Sequence, residues 1–78
     1  MGILKLGKKF CSPCVRAEQL LNQLNIEHDS IDIEVDDNAI ETYNVRSIPT
    51  IIKFDDDGNE VKRLVGTQCT NIDNLNDL

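Results

Sequence analysis

Residues 10–14, Phe10-Cys11-Ser12-Pro13-Cys14, join an apolar run at residues 3–6 to an amphipathic run that begins at Pro13. Two cysteines separated by two residues can close a small disulfide ring, and proline suits the first turn of a helix, where its missing N–H costs nothing. Cys11 is therefore predicted at a helix N-terminus. There the unpaired backbone N–H groups and the helix dipole stabilise a thiolate, so the pKa of Cys11 should fall below the free value of about 8.5. The stretch predicts a nucleophilic cysteine.

Length and charge limit the class of protein. A chain of 78 residues is expected to form one domain, residues 1–78. A formal net charge of −6 argues against partners such as nucleic acid or an anionic membrane, and the one basic patch, Lys5, Lys8 and Lys9, lies beside the cysteine pair. No secretory signal or long apolar run is visible. We therefore expect a cytoplasmic monomer, in which a close cysteine pair is typically catalytic or metal-binding.

The apolar periodicity predicts an α/β fold with the element order β-α-β-α-β-β-α. Residues with a period of two, or in short apolar runs, predict strands, and Ala17, Leu20, Leu21 and Leu24 give the first helix one apolar face. Alternating strands and helices followed by a hairpin predict a four-stranded mixed sheet with helices on both faces. The predicted strands cover residues 3–6, 31–35, 50–54 and 61–65.

Local signals place the two remaining helices. Three consecutive residues, Asp36, Asp37 and Asn38, can cap a short second helix, and Glu41 follows Asn38 at the spacing of a capping box. The side chains of Ile40 and Tyr43 are expected to point inward. A last helix is predicted with a cap at Thr70 or Asn71 and a weak apolar stripe. That stripe consists of Ile72, Leu75 and Leu78.

Four motifs, in the expected order, make the chain similar to the thioredoxin superfamily. They are the cysteine motif with its preceding aromatic residue, the segment Tyr43-Asn44-Val45-Arg46-Ser47-Ile48-Pro49-Thr50, the turn pair Asp57-Gly58 and the strand end Val65-Gly66. The resemblance implies a minimal thioredoxin fold, of glutaredoxin size, that lacks the first strand and helix of a full thioredoxin.

The resemblance implies a thiol-disulfide oxidoreductase that reduces protein disulfides through Cys11 and Cys14, with no metal and no organic cofactor. Pro49 is expected to follow a cis peptide bond. The implied partners are disulfide-containing client proteins, ribonucleotide reductase among them, and an electron donor that is either a flavoenzyme similar to thioredoxin reductase or glutathione. The residues implied to contact clients are Phe10, Ser12, Pro13, Ile48, Pro49, Val65 and Gly66.

Other interpretations stay open at this point. The chain could be a glutaredoxin-type reductase that uses glutathione. Glutaredoxins, however, generally have Thr-Val-Pro and a Gly-Gly pair followed by an acidic residue, where this chain has Ile48-Pro49 and Gly66-Thr67. It could be a binding subunit of thioredoxin fold with an idle redox pair. A zinc site would need Cys69 and His28 as further ligands, at no recognisable spacing. We expect Cys69 to be a partly buried structural residue and His28 to lie on the surface.

Two positions depart from the thioredoxin pattern. Ser12 replaces the glycine between the cysteines, and Lys5 stands about where thioredoxins keep a buried aspartate. A cation at Lys5 that pointed at the cysteine pair would stabilise a thiolate.

Overall fold

Four strands pair into one mixed sheet in the computed structural model, which describes residues 2–78. The sheet order is β2-β1-β3-β4, with β1 parallel to β2 and antiparallel to β3, and β3 antiparallel to β4. This is the predicted four-stranded α/β fold. The elements are β1 (Gly2–Gly7), α1 (Ser12–Gln23), β2 (Asp29–Asp32), α2 (Asn38–Thr42), β3 (Thr50–Phe54), β4 (Glu60–Val65), a 3₁₀ helix (Gly66–Thr70) and α3 (Ile72–Asn76).

The strand register brings three distant segments to one edge of the sheet, namely the edge at which β1 and β4 end and β3 begins. Leu6 of β1 pairs with Thr50 of β3, and Thr50 pairs with Val65 of β4. The loop that leads to the cysteine pair, the segment that ends at Pro49 and the turn at Gly66 therefore all begin or end at this edge.

Helices cover both faces of the sheet, as the sequence predicted. On one face α1 and α3 bury Leu21 and Leu75 against Ile51 of β3. On the other face Ala39 of α2 packs with Leu4, Leu6 and Ile52, and Tyr43 lies edge-on to Phe54 with ring centroids 6.2 Å apart. Successive side chains of β1 and β3 point to opposite faces of the sheet, so the apolar residues of these strands contribute to both cores. No helix in the described part of the chain is long and apolar enough to cross a membrane.

Asparagine ends both of the first two helices. Asn25 after α1 and Asn44 after α2 have φ of 57° and 53°, a left-handed conformation that asparagine adopts more readily than most residues. The following N–H groups bond back into each helix, from Ile26 to the carbonyl of Leu21 and from Val45 to the carbonyl of Ile40. These bonds satisfy carbonyl groups that the helix ends would leave free, so each helix stops at a defined residue.

Several local predictions were wrong. β2 ends at Asp32, because the N–H groups of Val35 and Asp36 bond to the Asp32 carbonyl in a turn, and Val35 is 82% exposed. The capping box at Asn38 does not form, because the N-cap of α2 is Asp37, another of the predicted candidates, and it makes no side-chain capping bond. Ile40 is exposed while its neighbour Ala39 is buried. The sequence also did not predict the 3₁₀ helix after β4.

Other local predictions are confirmed. The hairpin of β3 and β4 forms, and Asn71 caps α3 through hydrogen bonds from the N–H groups of Asp73 and Asn74. Leu75 of the predicted last stripe is fully buried, whereas Ile72 is 42% exposed.

Leu21→Ala should lower the free energy of unfolding by about 2–5 kcal/mol, because the side chain is fully buried between α1 and the sheet and its loss leaves a cavity. Val35→Ala is the control and should cost less than about 0.5 kcal/mol, since its side chain lies outside both cores. Urea unfolding followed by circular dichroism measures both values. A cost for Val35→Ala near that of Leu21→Ala would contradict the end of β2 at Asp32.

Candidate active site

Cys11 and Cys14 form a disulfide at the start of α1. Cys11 is the N-cap residue of the helix, with extended backbone angles, and its Sγ accepts a hydrogen bond of 3.3 Å from the backbone N–H of Cys14. Their Cα atoms are 5.2 Å apart. Cys11 is partly exposed and Cys14 is 1% exposed. Only the first sulfur is therefore open to a large partner, and the N-terminal N–H groups of α1 favour negative charge on it.

Gly7 allows the second cysteine to lie against the end of β1. A Cβ atom on this glycine would lie 3.0 Å from the Sγ atom of Cys14 and 3.1 Å from its Cβ atom, closer than most real contacts of this kind. The missing side chain of Gly7 therefore makes the space that the Cys14 sulfur occupies.

Pro49 lies at the same edge of the sheet and follows a cis peptide bond from Ile48, as expected. Its carbonyl oxygen accepts a 2.8 Å hydrogen bond from the N–H of Gly66, which has φ of 61°. That left-handed conformation favours glycine and turns the chain out of β4 beside Pro49. Two predicted site segments, distant in the sequence, are thus joined by a direct hydrogen bond.

The third cysteine supports this turn and is not part of the redox pair. Cys69 is fully buried, and its Sγ lies 3.3 Å from the carbonyl oxygens of both Pro49 and Leu64. Burial raises the pKa of the Cys69 thiol to about 11, so it is protonated and unreactive at neutral pH. The prediction of a structural residue holds, with complete rather than partial burial.

The predicted client-contacting residues differ in exposure. Phe10 is 95% exposed, although the other two aromatic residues of the chain pack against each other. Ser12 and Pro13 are exposed in the first turn of α1. Ile48, Val65 and Gly66 are partly buried, and Pro49 is buried. The structure places all of them on segments that meet at one edge of the sheet.

A charged cluster that the sequence did not reveal lies between α1 and the first two strands. Glu18 follows Cys14 by one helical turn, and its carboxylate lies 3.0 Å from Nζ of Lys5 and 2.9 Å from Nε2 of His28. Ser30 donates a longer hydrogen bond of 3.3 Å to it. Lys5 also lies beside Gly7, so its stem and the Cys14 sulfur flank the same glycine. The Lys5 cation is thus neutralised by Glu18 rather than left as an unpaired charge beside the cysteines.

Two consequences follow from this cluster. Burial raises the pKa of Glu18, but hydrogen bonds from His28 and Lys5 outweigh it and hold that pKa below its usual range.

The prediction of a surface His28 was wrong, because its side chain is only 5% exposed. Its Nδ1 lies 2.8 Å from the Ile26 carbonyl, so both ring nitrogens face accepting oxygens. His28 and Cys69, the extra ligands that a zinc site would need, are thus engaged in separate hydrogen-bond networks.

The sheet order and the helix positions define a thioredoxin-like fold, and this fold carries a Cys-x-x-Cys pair at disulfide distance. A glutaredoxin family model matches residues 4–57. The chain is 31% identical over 75 residues to the SPbeta prophage-derived thioredoxin-like protein YosR of Bacillus subtilis (strain 168), covering 96% of this chain and 94% of that protein. It is 46% identical over 63 residues to a thioredoxin of Chlamydia pneumoniae, covering 74% of this chain but only 61% of that protein.

A solved structure of a variant thioredoxin from Halobacterium salinarum aligns with a TM-score of 0.81 at 26% identity, over 96% of this chain and 67% of that one. The chain therefore belongs to the thioredoxin superfamily, as a small thioredoxin-like protein matched by the glutaredoxin family model.

Gly7→Ala should destabilise the disulfide form by about 1–3 kcal/mol, because the added methyl group meets the Cys14 sulfur and the strand end must move away from α1. Gly2→Ala is the matched control in the same strand, since nothing lies within 4 Å of its added Cβ atom. Thermal unfolding of both variants measures the difference. Equal melting temperatures would show that the contact at Gly7 does not limit the packing of Cys14.

Glu18→Gln should lower the free energy of unfolding at neutral pH by about 1 kcal/mol, because it removes a partly exposed ion pair with Lys5 and weakens the hydrogen bond to His28. The folded pKa of Glu18 lies below its ordinary value of 4.5, so its stabilising contribution is complete above that value and is lost as the pH falls through the folded pKa. The difference from wild type should therefore shrink below pH 4.5. Denaturant unfolding at several pH values measures it.

Glu60→Gln is the control for this experiment. Its carboxylate pairs with Arg63, but its side chain is 41% exposed, so a loss of no more than about 0.5 kcal/mol is expected. A pH-independent difference between wild type and Glu18→Gln would contradict a stabilising charge on Glu18.

Proposed function

We propose that this protein reduces protein disulfides by dithiol-disulfide exchange through Cys11 and Cys14. The observation that carries the proposal is the asymmetry of the pair: the accessible sulfur caps a helix N-terminus, and its partner is buried one helical turn along. An accessible thiolate and a buried resolving thiol are what two-step exchange requires.

In the first step the Cys11 thiolate attacks one sulfur of a client disulfide. A bond forms between Cys11 and that sulfur, and the second client sulfur leaves as a thiolate. In the second step the Cys14 sulfur attacks Cys11, which closes the internal disulfide and releases the remaining client sulfur. The departing client thiolate takes up the proton that Cys14 loses. Two electrons pass from the dithiol to the client, and all the chemistry resides in the two sulfur atoms, so no organic cofactor or metal is needed.

The segment before Pro49 is proposed to hold the client. Ile48 offers backbone groups at the edge of the sheet to an extended client segment, as in strand addition. Val65 and Gly66 lie beside it and form the other wall of a shallow groove, and Phe10, Ser12 and Pro13 are exposed at the cysteine loop.

The internal disulfide must be reduced again by a donor. A flavoenzyme similar to thioredoxin reductase is the proposed donor in the cytoplasm, with ribonucleotide reductase as one proposed acceptor. The match to the glutaredoxin family model supports a second candidate, in which glutathione supplies the electrons. Supplying either thioredoxin reductase with NADPH or glutathione with glutathione reductase, and following NADPH oxidation, distinguishes the two donors.

Reduced wild-type protein should accelerate insulin precipitation by dithiothreitol, because the Cys11 thiolate attacks disulfides faster than a free dithiol of higher pKa does. Cys11→Ser should fall to the rate of dithiothreitol alone. Cys14→Ser should accumulate a mixed disulfide with insulin, visible on a non-reducing gel. Cys69→Ala is the control and should keep the wild-type rate, since that thiol is buried and protonated.

A wild-type rate equal to that of Cys11→Ser would overturn the proposal. It would favour the alternative from the sequence, a thioredoxin-fold binding subunit whose cysteine pair is idle.

A further inference from the structure

The charges of this acidic protein are strongly segregated along the chain. Residues 1–17 hold four of the eight basic residues and no acidic residue, whereas residues 18–78 hold the other four basic residues and all 14 acidic residues. The segment without acidic residues includes the whole cysteine loop and the first turns of α1. The segment that carries the exposed sulfur therefore has the opposite sign from the rest of the chain.

Three of these cations have no internal partner in the structure. Lys5 is paired with Glu18 and largely buried, with 12% of its side chain exposed. By contrast, Lys8, Lys9 and Arg16 are exposed, and within residues 2–78 none of them forms an ion pair. Their charges are therefore directed to the solvent, and a partner can meet them without breaking an existing interaction.

Two of the three border a shallow pocket at the reactive sulfur. The pocket encloses about 430 Å³ and combines apolar walls with cationic groups. Lys8 and Lys9 also border a second pocket, next to Asp32, whose carboxylate accepts a hydrogen bond from the N–H of Glu34. The residues around the first pocket include Lys9, Phe10, Cys11, Val15, Arg16 and Gln19.

The exposed Phe10 ring and the unpaired cations lie around the Cys11 sulfur. A surface of this kind is complementary to a polypeptide segment that contains both apolar and negatively charged side chains. At distances beyond the Debye length, about 8 Å at physiological ionic strength, the charge of the whole protein is screened, and only nearby charges select a partner. The net charge of −6 therefore does not prevent an acidic segment from binding at this face.

We propose that the surface formed by Lys8, Lys9, Phe10 and Arg16 selects client disulfides that are flanked by acidic residues. This inference rests on the proposed function, because it names the class of client that the Cys11 sulfur reduces. The cations attract carboxylates close to the client disulfide, and the Phe10 ring covers an apolar side chain beside them.

The test measures second-order rate constants for oxidation of the fully reduced protein by matched cyclic peptides. Each peptide contains one disulfide, and the flanking residues are glutamate, glutamine or lysine. At an ionic strength of about 150 mM, where the Debye length is about 8 Å and distant acidic residues are screened, the glutamate peptide should react at least about twofold faster than the glutamine peptide, and the lysine peptide should be slowest. At about 1 M, where the Debye length is about 3 Å, the three rate constants should approach one another.

The variant Lys9→Gln/Arg16→Gln should lose most of the preference for the glutamate peptide while it still reduces the glutamine peptide. The control variant Lys53→Gln/Lys62→Gln removes the same charge from paired positions of β3 and β4 that lie toward the other end of the sheet, and it should keep the preference. Equal rate constants for the three peptides at about 150 mM, or a preference that survives in Lys9→Gln/Arg16→Gln, would overturn the inference.

The two proposals fail in different ways. If no peptide reacts faster with wild-type protein than with Cys11→Ser, the proposed function itself fails. If the glutamine peptide reacts well but charge has no effect, only the selection of acidic clients is wrong.

Discussion

The contact between Gly7 and the Cys14 sulfur is the constraint on which the site depends. A side chain at position 7 would press against this sulfur, so the strand end and the helix start would have to move apart by a few tenths of an ångström. Because α1 begins at this contact, its N-terminus and Cys11 lie at the edge of the sheet where Pro49 and Gly66 also meet. The missing side chain of Gly7 thus leaves room for the Cys14 sulfur, and α1 then positions the exposed sulfur of Cys11 at its N-terminus.

The charged groups near the site divide into an inner set and an outer set. Lys5, Glu18 and His28 form a closed cluster beneath α1, in which the Glu18 carboxylate contacts both other side chains and balances the charge of the lysine. Lys8, Lys9 and Arg16 stay exposed around the sulfur. The inner set ties α1 to the sheet, and the outer set places unpaired cations around the exposed sulfur. Both sets bear on the proposed exchange chemistry, since nearby charges shift the pKa of a thiol.

Cys69 shows how the same chemical group serves two purposes in one small chain. Its thiol is buried beside the carbonyl oxygens of Pro49 and Leu64, where burial raises its pKa and keeps it protonated. Cys11, at a helix N-terminus and open to solvent, has the opposite surroundings. The difference in surroundings, rather than the residue type, separates the structural thiol of Cys69 from the proposed nucleophile.

The sequence by itself determined the order of the elements, the helix start at the cysteine pair and the segments around Pro49 and Gly66, because periodicity, capping and turn signals act over a few residues. The prediction was wrong at Val35, which lies in a turn after β2 instead of in the strand. It was also wrong at Ile40, because α2 buries the preceding residue instead. Only the tertiary structure decided that Lys5, Glu18 and His28 meet, that Cys69 supports Pro49, and that Gly7 makes room for Cys14. All but one of these contacts join residues at least ten positions apart, and even Gly7 and Cys14 meet only because the loop between them folds α1 back onto β1. Such contacts depend on strand register and on the placement of helices over the sheet, which no local pattern encodes.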